Sequence, residues 1–297
     1  MAAYNGERWI GPQIRTIVAQ TGVSLDLFIS VAPSGDGTHA CAQALAHAFG
    51  NVHVLPEPGP AGGAAANFFH LLATVPFEGY DYVALADQDD IWYPGKLAHA
   101  VEALVASGAQ GYSGNVRAFW PDGRSRVLDK AQPQVEWDHL FEGPGPGCTF
   151  VMSAAMAHLA KEQITHLGDR LLAVDYHDWF LYSLARSRGF PWFIDPVVMM
   201  DYRQHGQNQI GANSGWASIT KRLDKVRDGW WFEQVRLLAN ITGQDRIPEV
   251  SNMLAASPHS LRKLARKARL CRRRLRDRLI FPVLCLIEAV HMRRRER

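Results

Sequence analysis

The sequence predicts an α/β fold, a mostly parallel central sheet flanked by helices, followed by a basic C-terminal helical tail. Three observations carry this. Apolar runs of strand length alternate with runs of helical period over the first hundred residues. One of those runs ends abruptly in the acidic cluster "LADQDD", and open sheets of this kind bind ligands outside the carboxyl ends of their strands. Beyond Pro258 the composition turns strongly cationic.

In order, "GERWIGPQIRTIVAQT" places apolar residues at 9, 10, 14, 17 and 18, one helical face with Asn5 as its expected cap. "LDLFISV" (25–31) reads as a strand, "GTHACAQALAHAF" as a helix, "NVHVL" as a strand, "AAANFFHLLATV" as a helix and "YDYVALA" as a strand. Past Gly111 the rhythm changes to a strand at "GYSGNVRAFW", a turn at "PDGR" and a Gly/Pro loop, "FEGPGPGCTFVMS". Helices at "SAAMAHLAKEQI" and "HDWFLYSLARSRG" follow, then "PWFIDPVVMMDYRQHG", a strand running into a loop, and helical material from Trp216 to Asn240. The expected organisation is an α/β domain over 1–215, a helical extension over 216–257 and a basic, membrane-associating tail over 258–297.

A length of 297 residues with 47% hydrophobic content is enough for a substantial core. Cys41, Cys148, Cys271 and Cys285 have neither paired short spacing nor a Cys/His cluster, which argues against a zinc site or a disulfide framework and fits a reducing, cytoplasmic setting. No signal peptide is expected where Met1 runs into "AAYNGERW", and no apolar run reaches the ~20 residues of a membrane-spanning helix. From His259 onward, fourteen Lys and Arg face three acids, giving +11 in a chain of net +3, so the body before it is net acidic.

Asp87 and Asp89 form an Asp-x-Asp at a strand end. Hard oxygen ligands so arranged suit Mg²⁺ or Mn²⁺, which keeps positions open for substrate phosphates. The alternative is that Asp90 starts the helix beginning near Pro94 and the others are solvated loop acids. "HDWFLY" puts Asp178 at a helix start ahead of apolar Phe180, Leu181 and Leu184, where it could act as a general base or as a cap, with Asp175 as its competitor. His177 reads as a neighbour that orients rather than a second base. "YRQHG" offers Arg203 as a fork of donors for a diphosphate and His205 as a metal ligand or a plain surface residue. "GPGPGCT" lacks the Lys-Ser/Thr of a P-loop and reads as a tight turn near an acceptor pocket. Trp92, Trp137 and Trp179 could stack on sugar faces or simply pack.

Taken together and in order, "AYNGERWIGPQI", "ANFFHLL", "LADQDDIWYPGKL", "GPGCTFVMS", "YHDWFLY" and "YRQHGQNQIG" resemble bacterial glycosyltransferase family 2, specifically its rhamnosyltransferase-like members with a GT-A fold. The resemblance covers about residues 3–211. It implies an inverting, metal-dependent transfer of a sugar, rhamnose from a dTDP sugar, to a saccharide acceptor, lipid-linked, in surface polysaccharide synthesis. It places Tyr4, Asn5, Glu7, Asn67, Asp87 and Arg203 at the nucleotide-sugar donor, a Mg²⁺ or Mn²⁺ on Asp87 and Asp89 with His205 as a further candidate ligand, and the catalytic base at Asp178.

Two departures stand out. Only three residues precede Tyr4, where the family has an apolar strand, so the first strand is expected to be missing, with a chain start placed too far downstream as the bland explanation. Val31, Ala32 and Pro33 stand where the family has Asp-Asp-Gly-Ser, and Asp36 matches the later Asp-Gly-Thr that opens a helix. Altered donor binding is the expectation, and an impaired or truncated relative is the alternative reading. The tail, basic in "RKLARKARLCRRRLRDRL" and apolar in "IFPVLCLIEAVHM", suits an anionic membrane surface at the inner face of the cell membrane. Nucleic acid is the weaker candidate because the apolar run has no use there. An adaptor acting through this tail is the remaining alternative.

Overall fold

Ala2 and Ala3 form a strand, β1 (Ala2–Ala3), at the position predicted to be empty. It pairs in parallel with β2 (Leu27–Val31), bridges to Asp87, and its Ala2 amide donates to the Ala86 carbonyl at 3.1 Å. The expectation of a missing strand is therefore corrected: two residues are enough to give the neighbouring strand end its backbone partners. The computed structural model describes residues 1–57, 62–205 and 229–295.

The helix α1 (Glu7–Val18) buries Ile10, Gln13, Ile14 and Ile17, the face read from the sequence. Its N-cap is Gly6 and not Asn5. Asn5 sits at a φ of 47°, and its side-chain oxygen accepts from the Gly35 amide at 2.9 Å, so the residue expected to cap the helix fastens a neighbouring loop instead. Next come α2 (Thr38–Ala48), β3 (Val52–Val54) and α3 (Gly63–Thr74). The strands β1, β2 and β3 make a three-stranded parallel sheet in that order. Asp36 accepts from the Thr38 amide at 3.1 Å while Gly37 is the N-cap of α2, so it serves the helix from one residue further out than predicted.

Following these, β4 (Tyr82–Ala84) leads into the acidic cluster, then come β5 (Ile91–Trp92), α4 (Lys96–Ser107), β6 (Gly111–Phe119) and β7 (Ser125–Leu128). At the end of α4, Gly108 takes a φ of 67°, the left-handed stop that glycine provides without a Cβ penalty. The short α5 (Asp138–Phe141) precedes β8 (Val151–Ser153), α6 (Ala154–Leu167), α7 (His177–Ser187) and β9 (Trp192–Arg203). Ser153 caps α6 through the Met156 amide. The second sheet runs β4-β8-β6-β9-β5 with β7 on β6; β6 and β9 are parallel and the other pairs antiparallel. The parallel character read from the sequence thus resides in β1–β3 and the β6/β9 pair.

Residues 229–295 add α8 (Trp230–Ile241), α9 (Pro248–Leu254), α10 (Pro258–Arg266), α11 (Ala268–Cys271) and α12 (Leu275–Arg295). The part of the predicted helical extension from Trp216 to 228 lies outside the described residues, as do residues 206–211 of "YRQHGQNQIG". Two units divide the chain: one holds Met1–Ala131, Pro144–Leu181 and the stretch from Gly189, the other residues 132–143, 182–188 and the helices after 229. In the first, Ile10, Ile14, Ile29, Ala100 and Val116 are fully buried between sheets and helices.

The second unit is organised around Asp138, fully buried, which accepts from the Tyr182 hydroxyl at 2.8 Å, from Arg186 at 3.1 Å and from Arg273 at 2.9 Å. Phe281 of α12 meets Phe141 edge-on at 5.3 Å and Trp231 at 5.7 Å.

Candidate active site

The strand β4 delivers the acidic cluster to the end of the second sheet, beside β1. Gln88 locks it there: its amide donates to the Tyr4 carbonyl at 2.7 Å and its carbonyl accepts from the Tyr4 amide at 2.5 Å. The three carboxylates then go separate ways. Asp89 is buried with its Oδ2 2.5 Å from His205 Nε2. Asp90 is 1% exposed, accepts from the Arg203 amide at 3.2 Å, and leaves its Oδ2 buried without a partner. It does not start the next helix, whose N-cap is Gly95. Instead, Asp87, Asp90 and the Cys148 thiol bring ligand-capable atoms within 4.8 Å of one another.

Withdrawal from water raises the Asp87 carboxyl to about 7, helped by the charges of Asp89 and Asp178. Burial likewise pushes Asp90 well above the carboxylate range, with Asp89 and Asp87 adding to it. Such a set is short of positive charge. The nearby Lys96 ammonium, 3.6 Å above the Trp92 ring, is itself lowered to about 8 by burial. The orphaned Asp90 oxygen and the Asp87 carboxyl are hard oxygen donors that fit a divalent cation of the Mg²⁺ or Mn²⁺ kind, while the Cys148 thiol beside them, kept protonated by burial, is not a ligand such an ion selects.

Asp178 neighbours this cluster through the turn at Gly147, whose next residue is Cys148. Burial raises it to about 6, against the pull of the Trp179 amide, which donates to it at 2.7 Å, and of the Lys130 charge. His177 stacks on Phe68 at 3.9 Å, and burial lowers it to about 3, so it is neutral at physiological pH and unsuited to take a proton. The 3-10 turn Gly147–Thr149 runs against both: a Cβ at Gly147 would sit 2.3 Å from His177 Nε2 and 3.3 Å from the Asp178 Cβ. Only glycine allows that approach. The loop expected at an acceptor pocket therefore packs Gly147 against Asp178 and brings Cys148 to the acidic cluster.

At the end of β9, Arg203 donates from Nε to the Asp89 carbonyl at 2.8 Å and lies 4.6 Å over the Phe119 ring. His205 is stacked on Trp9 of α1 at 4.2 Å. Two predicted metal ligands, Asp89 and His205, are thus brought together from positions 116 residues apart.

The amino-terminal residues predicted at the donor form a second group. The Asn5 amide donates to Ser34 at 3.1 Å, and Glu7 accepts from the Gly37 amide at 2.9 Å. Both hold the loop after β2, which lines a pocket of about 310 Å³ formed by Val31, Ala32, Pro33, Ser34, His39 and Glu57. Tyr4 is 55% exposed beside this loop's anchor. Asn67 is buried and donates to the Ser30 carbonyl at 3.2 Å, clasping β2 from below. Trp92, Trp137 and Trp179 are all buried, so of the two readings open from the sequence they take the packing one.

The sequence pattern of Glycosyl transferase family 2 matches residues 1–159, and a dTDP-rhamnosyl transferase of Shigella flexneri, RfbG, is 41% identical over 255 residues, covering 86% of this chain and 88% of that protein. The chain belongs to glycosyl transferase family 2. It is a glycosyltransferase of the rhamnosyltransferase-like kind with a GT-A fold. Solved structures agree on the fold. The first 349 residues of TarS from S. aureus, in complex with UDP, superpose with a TM-score of 0.54 at 13% identity over 100% of this chain and 90% of that one. The Pyrobaculum calidifontis mannosyltransferase PcManGT, in complex with GDP-Man and Mn²⁺, gives 0.52 at 14% over 100% and 86%.

Within this family fold, sequence reasoning missed Trp9, Asp90, Lys96 and Cys148. Asp90 carried a signal, an acid immediately after the Asp-x-Asp, that competed with helix capping. Trp9 reads as part of an ordinary amphipathic face, Lys96 is a single cation at the start of a helix, and a lone cysteine carries no pattern of its own.

Proposed function

We propose that this glycosyltransferase moves rhamnose from a dTDP-sugar donor to a saccharide hydroxyl with inversion, with Asp178 as the base. The observation that supports it most is Asp178 itself: a carboxylate raised to about 6 and packed against Gly147, in the turn that also brings Cys148 to the acidic cluster. At neutral pH it is ionised yet basic enough to accept a proton. The acceptor O–H proton passes to an Asp178 carboxylate oxygen as the hydroxyl oxygen attacks the anomeric carbon. The bond from that carbon to the diphosphate oxygen breaks on the opposite face, and the nucleotide diphosphate leaves.

Asp87, Asp89 and Asp90, with His205 at Asp89, would hold a Mg²⁺ or Mn²⁺ that offsets the charge of the diphosphate. Arg203 supplies fixed positive charge beside Asp89. The donor's nucleotide is read at the pocket after β2, where Val31, Ala32 and Pro33 replace the acidic segment usual in the family and His39 and Glu57 are the polar groups present. The 41% identity to a dTDP-rhamnosyl transferase supports the dTDP sugar as donor. On this reading the acceptor is a lipid-linked saccharide at the cytoplasmic face of the membrane, extended in surface polysaccharide synthesis.

Release of dTDP from dTDP-rhamnose with Mg²⁺ or Mn²⁺ present, and transfer to an acceptor, test this. Both should vanish in Asp89→Ala, and transfer should vanish in Asp178→Ala. Donor binding by titration calorimetry without any turnover in the unsubstituted protein would instead identify an impaired relative.

A further inference from the structure

In water, a helix on the surface of a protein buries its apolar side and presents polar side chains outward. Helix α12 (Leu275–Arg295) does not. It turns Phe281, Cys285, Glu288 and Ala289 into the second unit, yet its exposed side carries Leu275, Leu279, Ile280, Val283, Leu286 and Val290, between 44% and 72% exposed. At 3.6 residues per turn these six fall within an arc of about 140°. Arg276 is the one exposed charged residue on that arc among the described side chains. The stripe runs about 22 Å along the helix at 1.5 Å per residue. Large apolar surface held in water over about four helical turns marks a contact surface.

Charge decides what covers it. Between 258 and 292 the exposed charged residues are Arg262, Lys263, Arg266, Arg269 and Arg276, all cations. The acids of this stretch are withdrawn: Glu288 is buried, and Asp277 is partly buried beside Arg272 at 3.6 Å. A second copy of this chain would bring the same cations against themselves, and like charges across an interface oppose association. A nucleic acid would use the cations and leave the leucines in water. An anionic lipid surface uses both, taking the apolar side chains into the boundary between headgroups and acyl chains and the cations onto the phosphates. No helix of the described residues is long and apolar enough to cross a bilayer.

We infer that α12 is an interfacial helix, lying in the plane of an anionic phospholipid membrane with Leu275, Leu279, Val283, Leu286 and Val290 inserted. This gives the proposed lipid-linked acceptor a surface on which to meet the enzyme, but it stands on the second unit alone, so its failure would leave the catalytic reading untouched.

Co-sedimentation of the full chain with vesicles of phosphatidylcholine, with and without phosphatidylglycerol, tests it, alongside light scattering for oligomeric state. The full chain should pellet with the anionic vesicles, and Leu279→Gln/Leu286→Gln should lower that partitioning at least tenfold while keeping the thermal melt and dTDP binding. Arg262→Gln/Lys263→Gln should weaken binding to the anionic vesicles and remove much of its salt sensitivity. Should the first variant misfold, Leu275→Gln/Val290→Gln, at 72% and 50% exposed positions, makes the same test. Undiminished pelleting of these glutamine variants would overturn the inference. So would a dimer that they split into monomers, or RNA binding with no vesicle binding.

Discussion

His205 Nε2 stands 2.5 Å from Asp89 Oδ2, and the imidazole is stacked on Trp9 at 4.2 Å. An imidazole so held orients the carboxylate it touches, the role that outer partners of a metal ligand play even when they do not bind the ion themselves. His205→Ala should raise the Mn²⁺ concentration needed for half-maximal activity by about 10–100-fold. Measuring rate against Mn²⁺ concentration at saturating donor checks this, and an unchanged half-maximal concentration would remove His205 from the site.

The turn at Gly147 leaves no room beside His177 and Asp178. A methyl group there meets His177 Nε2 at 2.3 Å, and the ring, stacked on Phe68, has no easy direction of retreat. Gly147→Ala should destabilise the fold by about 1–3 kcal/mol as overpacking does. It should also lower kcat more than it raises the KM for donor. Thermal melts and steady-state kinetics on one preparation separate the two effects.

In the second unit, Asp138 is fully buried and balances Arg273, which is 1% exposed at its side chain. Replacing it with Asn removes the nearer of the two carboxylates facing that buried guanidinium and leaves Glu142 at 3.8 Å, so the cost should approach but not exceed about 3–5 kcal/mol. Urea unfolding of Asp138→Asn should show that loss. A change within about 0.5 kcal/mol would mean that the network contributes little.

The raised pKa of Asp178 also makes a statement about stability. In the fold its carboxyl holds a proton up to about 6 against an ordinary value of 3.8. The folded form therefore gains relative stability below the ordinary value and loses it as pH rises through about 6. At pH 8, without cation or substrate, the buried charge costs the fold about 1–3 kcal/mol, discounted for partial solvent access. Asp178→Asn should melt higher than the unsubstituted protein at pH 8 and show no such gain at pH 4. A lower melt at pH 8 would show that the charge is stabilised rather than strained.

Much of the candidate site was legible in the sequence because its pieces are local. The end of β4, the start of α7 and the end of β9 each bear a candidate side chain beside a strong strand or helix signal, so Asp87, Asp89, Asp178, Arg203 and His205 could be singled out from short stretches, their roles coming from the family resemblance. The pairings could not. That Asp89 meets His205, that Gln88 clasps Tyr4 and that Cys148 faces Asp87 and Asp90 depends on which strand ends converge, which no short window records. Asp90 was misread for the same reason: an acid ahead of a helix has the look of a cap until a neighbouring strand claims it. The shortness of β1 deceived differently, because a two-residue strand falls below any periodicity yet still satisfies the backbone of β2.

The proposal that Asp178 removes the acceptor proton is tested most directly by the pH dependence of transfer from dTDP-rhamnose, measured for the unsubstituted protein and Asp178→Asn. The rate should rise through about pH 6 to a plateau as Asp178 ionises, and Asp178→Asn should fall about 10²–10⁴-fold and lose that inflection. An Asp178→Asn enzyme within tenfold of the unsubstituted rate, with the inflection still in place, would contradict it.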